Sequence, residues 1–141
     1  MTLVADSSAI AAAIGLSDRV GDWARTTWAT DELAAPHILP AEVANVLRRA
    51  VLLGHMSVES ATIAHAELLD TRITLYPYEP LAARVWELRN NLTPYDAWYV
   101  ALAEQLQAPL VTLDRRLARA SGPRCEFRVP PSQDTIQTGM E

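Results

Sequence analysis

Short apolar runs alternate along the chain with longer segments in which apolar residues recur at helical spacing. The short runs predict β-strands and the longer segments predict helices. The predicted strands are Leu3–Ala5, Ala35–Leu39, Arg72–Tyr78 and Pro109–Leu113. The predicted helices are Ala9–Ile14, Asp18–Trp28, Pro40–Leu53, a segment from Ser57 to about Asp70, Leu81–Asn90, a segment from Thr93 to about Gln107, and a short helix after Asp114. Strands separated by helices indicate an α/β fold with a parallel sheet and helices on both of its faces.

Two of the predicted strands lead directly to a carboxylate. Asp6 follows the apolar start of the chain, and Asp114 follows the run "APLVTL". In open parallel sheets, sites form in the crevice outside the carboxyl ends of the strands. A carboxylate buried there without a partner would cost several kcal/mol. We therefore expect both aspartates to face such a crevice, and Thr112 to point the same way as Asp114 because alternate strand residues share a face.

Two of the predicted helices begin close to a carboxylate. Thr93 and Asp96 have the spacing of a capping box, and the "AWYVALA" that follows is apolar on every face. Such a helix is normally buried, so we expect its first turn to lie inside a cleft. Glu42 lies in the first turn of "LPAEVANVLRR", where Asn45 and Arg49 share its stripe. Capping alone for Asp96, and a solvated stripe for Glu42, are the alternatives.

We expect four carboxylates at one edge of the sheet, since strand ends and helix starts meet there in a parallel α/β fold. They are Asp6, Glu42, Asp96 and Asp114. Four negative charges in one crevice repel each other, and a hard cation removes that repulsion. Magnesium prefers oxygen ligands, takes one or two carboxylates directly, and keeps waters that leave room for a phosphate oxygen. This combination predicts metal-assisted hydrolysis of a phosphodiester.

Composition places limits on the class of protein. The 141 residues fit one domain, and the lone Cys125 excludes an internal disulfide and a thiol–zinc cluster, which fits a reducing cytoplasm. No apolar run approaches the roughly 18 residues of a membrane span, and a signal peptide is not expected because Asp6 interrupts the apolar start. The polar segment from Val129 predicts a folded domain over residues 1–128 and a flexible tail over 129–141.

The net charge of −5 argues, taken globally, against a nucleic-acid binder. The chain has no lysine, however, and all 12 basic residues are arginines, five of them between Arg115 and Arg128. Guanidinium groups suit phosphate, although a cluster of this kind is equally typical of a solvated helix face.

Four segments in order resemble the PIN-domain ribonucleases, and in particular the VapC-type toxins of bacterial toxin–antitoxin pairs: "VADSSAI", "LPAEVANVLRR", "TPYDAWYVALA" and "LVTLDRRLA". The resemblance runs from residue 3 to about residue 120. It implies a PIN-like three-layer α/β/α sandwich with a central parallel sheet. It also implies that Asp6, Glu42, Asp96 and Asp114 bind Mg²⁺ or Mn²⁺, with Thr112 and Asn45 as polar companions.

The function that this resemblance implies is a metal-dependent endoribonuclease, a hydrolase that cleaves RNA phosphodiesters. As a toxin it would be a cytoplasmic homodimer without membrane attachment, neutralised by a cognate VapB-like antitoxin. Arg49, Arg115 and Arg116 would hold the RNA backbone. The acidic net charge and the absence of lysine depart from what RNA binding favours, because they leave fewer cations for the phosphates.

Other classes fit less well. Receiver domains and haloacid-dehalogenase-like phosphatases need a lysine, which the chain lacks, and no G-x-S-x-G motif supports a serine hydrolase. The remaining alternative is a catalytically inactive PIN-like protein that acts through a partner groove. Metal-dependent RNA cleavage would separate the enzyme from this binding protein.

Overall fold

The computed structural model describes residues 1–132 and has five β-strands and seven α-helices in that range. The strands are β1 (Thr2–Ala5), β2 (Glu32–Pro36), β3 (Ile73–Tyr76), β4 (Leu110–Val111) and β5 (Phe127–Arg128). The helices are α1 (Ser7–Gly15), α2 (Arg19–Thr27), α3 (Leu39–Leu52), α4 (Val58–Asp70), α5 (Ala82–Glu87), α6 (Pro94–Leu106) and α7 (Arg115–Ala118), with a 3₁₀ turn at Glu79–Leu81 before α5. The predicted α/β class is confirmed.

All neighbouring strands of the sheet are parallel, in the order β3-β2-β1-β4-β5. The chain moves outward from β1 to β3 and then returns to the other side of β1 as β4. The strand order therefore reverses between β1 and β4, where Ala5 pairs with Val111. This reversal is the place at which open α/β sheets form their sites, and it lies at the carboxyl ends of the two strands.

The helices fall into two groups on either side of the sheet. Helix α1 packs against α2, α3 and α4, whereas α5 packs on α6, and α6 contacts β1, β2 and β4. Parallel crossovers are right-handed, so the return from β3 to β4 carries α5 and α6 to the face opposite α1–α4. The result is the expected α/β/α sandwich, with Leu3, Val4 and Val100 fully buried between its layers.

Local signals account for most of the element boundaries. The hydroxyls of Ser57 and Thr93 accept hydrogen bonds from the backbone at the starts of α4 and α6, as N-cap residues do. Gly54, just beyond α3, has a φ of 76°, a left-handed conformation that glycine adopts without strain.

Several predicted boundaries differ from the observed ones, and one strand was not predicted. Strand β2 ends at Pro36, earlier than expected, because the chain turns at His37 and α3 already begins at Leu39. Helix α1 starts at Ser7 because the Asp6 side chain caps it. Strand β5 was not predicted at all, since it has two residues and is stabilised by its pairing with β4.

The predicted division into a domain of residues 1–128 and a tail of 129–141 stays a prediction, and residues 133–141 lie outside the described part. Within the described part, Val129 and Pro130 are partly buried, and the Pro130 carbonyl accepts a hydrogen bond from Arg115. No helix among residues 1–132 is both long enough and apolar enough to cross a membrane.

Candidate functional site

Asp6 lies where β1 ends and caps the start of α1. Its side chain is only 7% exposed, and Oδ1 accepts hydrogen bonds from the Ala9 amide at 3.0 Å and from the Ser8 hydroxyl at 2.6 Å. Oδ2 accepts a hydrogen bond from the Thr112 hydroxyl. Ser8 belongs to α1, so its hydroxyl reaches Asp6 from the first turn of the helix that Asp6 caps.

Thr112 connects the carboxyl ends of β1 and β4 through its hydrogen bonds. It is fully buried, its hydroxyl donates to Asp6, and the same oxygen accepts the Asp114 amide at 3.0 Å. The neighbouring Leu113 amide donates to Ser8 Oγ at 3.0 Å. Asp114 then caps α7, where its Oδ1 accepts from the Arg116 amide at 2.9 Å. The Thr112 side chain therefore points to the Asp6 carboxylate, and its contact with Asp114 is to the backbone amide of that residue.

Asp96 occupies the first turn of α6. Its amide donates to Thr93 Oγ1 at 3.3 Å, which is half of the predicted capping box, and the reciprocal bond from the Thr93 amide does not occur within residues 1–132. Burial raises the pKa of Asp96, and the charge of Asp114 raises it further. A cavity of about 220 Å³ is lined by Asp96, Asp114 and Arg116, among other residues.

Glu42 reaches the same region from the first turn of α3. Its Oε1 accepts a hydrogen bond of 2.7 Å from the hydroxyl of Tyr99, whose side chain is 2% exposed. Sequence reasoning missed Tyr99 because it lies within "AWYVALA", which was interpreted as apolar throughout. The available signal was its position one turn after Asp96, since residues three apart lie on one face of a helix.

The four carboxylates influence one another electrostatically, and we call Asp6, Glu42, Asp96 and Asp114 the acid site. Burial raises the pKa of Asp6, Glu42 and Asp96, and is the largest cause in each case. The charge of Asp96 also raises the pKa of Asp6 and of Glu42, and the charge of Asp114 raises that of Asp96. Negative charge is therefore concentrated where the sheet order reverses.

The acid site does not hold its carboxylates around one point. Among residues 1–132, no three His, Cys, Asp or Glu side chains are grouped closely enough to hold a metal ion. Asp6 and Glu42 are instead engaged by hydroxyl groups of the protein. The four side chains nevertheless offer only carboxylate oxygens, which suits a hard cation that takes one or two carboxylates and otherwise binds through water.

The other predicted site residues differ in how close they lie to the acids. Asn45 and Arg49 are exposed on α3, and Asn45 Oδ1 accepts a long hydrogen bond of 3.4 Å from Arg48. No hydrogen bond among residues 1–132 joins Asn45 to the acid site, whereas Glu42 accepts its hydrogen bond from Tyr99. Arg115 is exposed and donates to Pro130, whereas the exposed Arg116 is close enough to lower the pKa of Asp96.

Comparison with known proteins shows which family the chain belongs to. The PIN domain profile matches residues 3–123. The chain is 50% identical to Ribonuclease VapC1 of Mycobacterium tuberculosis over 99 residues, which cover 67% of this chain and 72% of that protein. It is 38% identical to Ribonuclease VapC9 of the same organism over 129 residues, covering 92% of this chain and 98% of that protein.

A solved structure shows the same fold at low sequence identity. VapBC2 from Rickettsia felis, bound to a DNA fragment from their promoter, matches with a TM-score of 0.65 and 14% sequence identity. The match covers 92% of this chain and 98% of that chain. With the sequence matches, this shows that the chain belongs to the PIN-domain family, alongside the VapC ribonucleases.

Proposed function

We propose that the protein is a metal-dependent endoribonuclease that hydrolyses RNA phosphodiesters and acts as the toxin of a type II toxin–antitoxin pair. The observation that carries the proposal is the acid site itself. Four carboxylates from two strand ends and two helix starts meet at the reversal point of the sheet, where neighbouring charges raise the pKa of Asp6, Glu42 and Asp96 beyond the effect of burial. The sequence relatives named VapC ribonucleases support RNA as the substrate.

In this proposal, Asp6, Asp96 and Asp114 hold Mg²⁺ or Mn²⁺ directly or through water, and Glu42 completes the set or positions the attacking water. When bound, the ion would activate water and stabilise the leaving oxygen. Thr112 keeps the Asp6 carboxylate oriented by its hydrogen bond. Asp96 and Arg116 line the same cavity, so a phosphate bound there would lie near both the Arg116 guanidinium and the carboxylates of the acid site.

The arginines are proposed to hold the RNA backbone, with Arg116 nearest to the acid site and Arg49 and Arg115 farther out. Such contacts release counterions, so each arginine removed should flatten the salt dependence of RNA binding. A small VapB-like antitoxin is the proposed partner, supported by the fold shared with VapBC2. We also propose that the protein forms a homodimer.

The enzyme proposal predicts that the purified protein cleaves total bacterial RNA when Mn²⁺ or Mg²⁺ is added and stops when a chelator is added. Asp96→Asn removes one charged ligand without changing the size of the side chain. Its cleavage rate should fall by at least about 100-fold. The site would bind the ion less tightly, and the reacting phosphate would lose the electrostatic stabilisation that the ion would supply. Gel analysis of RNA fragments over time measures this loss.

Asp70→Asn is the matched control, since Asp70 is an exposed aspartate at the end of α4 and should leave cleavage unchanged. Cleavage by Asp96→Asn at the rate of the unmodified protein would refute the assignment of the acid site. A protein that cleaves no RNA in either metal would favour the inactive binding protein instead.

A further inference from the structure

Tyr99 makes a contact that the fold alone does not require. Its ring is buried in α6, and its hydroxyl donates 2.7 Å to Oε1 of Glu42, which belongs to α3 and lies 57 residues away in the chain. A buried tyrosine hydroxyl needs a hydrogen-bond partner, which a backbone carbonyl could supply. Here the partner is a carboxylate of the acid site, and bonds to a charged group are about twice as strong as neutral ones.

The contact leaves the two oxygens of Glu42 in different environments. Oε1 accepts from Tyr99, and Oε2 accepts no hydrogen bond within residues 1–132. A glutamate side chain has several rotatable bonds, and fixing them costs conformational entropy each time the side chain must be ordered for binding. The Tyr99 hydroxyl supplies this order in advance, since it holds one oxygen and thereby fixes the direction of the other.

We propose that Tyr99 is a positioning residue that holds Glu42 through Oε1, so that Oε2 stays available to a divalent cation or to water bound by it. This inference rests on the proposed function, because it assigns a partner to Glu42 within the same site. Ligands of metal ions are commonly oriented by such outer hydrogen bonds, whose loss lowers metal affinity by roughly 10- to 100-fold.

The test is Tyr99→Phe, which removes the hydroxyl and keeps the buried ring. Calorimetric titration with Mn²⁺ should show binding about 10-fold weaker than in the unmodified protein. In RNA cleavage, kcat should fall while KM for RNA stays the same, since Tyr99 lies in the core and does not touch RNA. Circular dichroism checks that the variant is folded.

Tyr95→Phe is the matched control. Tyr95 lies on the same helix, is 55% exposed, and its hydroxyl makes no hydrogen bond within the described range of residues 1–132. It should bind Mn²⁺ as the unmodified protein does. A second comparison places Tyr99→Phe in a Glu42→Ala background, where it should cause no further loss of Mn²⁺ affinity, because the group through which it acts is gone.

The outcomes separate the two proposals. If the unmodified protein binds Mn²⁺ and cleaves RNA but Tyr99→Phe does both equally well, the positioning role is refuted and the enzyme proposal stands. An equal additional loss in the Glu42→Ala background would likewise refute it, since Tyr99 would then act without Glu42. If the unmodified protein binds no Mn²⁺, both proposals fail.

Discussion

At the scale of single residues, the hydroxyl of Thr112 has two roles at once. It donates to the Asp6 carboxylate and accepts from the Asp114 amide, so one oxygen atom links the ends of β1 and β4. A buried acceptor that loses its donor carries the full cost of having left water, which exceeds the net gain from making the bond. Thr112 is therefore important to the site, because its hydroxyl connects the ends of β1 and β4.

Thr112→Val tests this link because valine matches threonine in shape and lacks the hydroxyl. We expect the free energy of unfolding to fall by about 1–3 kcal/mol, since Asp6 loses a donor and the Asp114 amide loses an acceptor. Urea denaturation measures the change. Thr112→Ser keeps the hydroxyl and should lose less, so a serine variant as unstable as the valine variant would contradict this explanation.

At the scale of elements, the approach of α2 to the end of α1 depends on a glycine. A Cβ atom added at Gly21 would lie 2.1 Å from the Leu16 carbonyl oxygen, far closer than packed atoms come. Helix α1 also carries Ser8, whose hydroxyl bonds to Asp6. The spacing between α1 and α2 therefore affects an element that holds the acid site.

Gly21→Ala should destabilise the protein by about 2–4 kcal/mol, because backbone must move to make room for the methyl group. The midpoint of urea unfolding is the measurement. Gly15→Ala is the control, since its nearest neighbour is the flexible tip of Met56 at 3.2 Å. Equal stability of Gly21→Ala and the unmodified protein would show that the two helices are loosely packed.

Local patterns predicted most elements and the acids at their ends, because strand ends and helix caps are written in adjacent residues. Asp6 and Asp96 were found in this way. Contacts between distant residues could not be predicted, and the bond between Tyr99 and Glu42 is one of them. Strand β5 was missed for the same reason, since its two residues are held by pairing with β4 and by the packing of Phe127 on the core.

At the scale of the whole molecule, a protein of net charge −5 gathers several acids at one edge of its sheet. Because the pKa of Asp96 is raised from 3.8, the folded state binds its proton more tightly than the unfolded chain does. Stability is then lost as pH rises through the interval between the unfolded and folded pKa values. Glu104 acts in the opposite direction, because the nearby Arg84 helps to lower its pKa.

Asp96→Asn removes that charge, so the variant should melt at a higher temperature than the unmodified protein at about pH 7, with a smaller difference near pH 3. Thermal unfolding across this range, without divalent ions, gives the comparison. The same variant is expected to be inactive, so gain in stability and loss of activity should occur together. A lower melting temperature at neutral pH would show that the carboxylate stabilises the folded protein.

The reversal of strand order also has a consequence for when the acid site can form, because it brings residues together that are far apart in the sequence. Asp6 and its buried partner Thr112 are 106 positions apart in the sequence, and Glu42 and Tyr99 are 57 positions apart. A chain that ends before β4 lacks Thr112 and Asp114, so the acid site is complete only after β4 has paired with β1. Thr112 and Asp114 follow Asp6, Glu42 and Asp96 in the sequence, so translation supplies these two parts of the acid site after the other three.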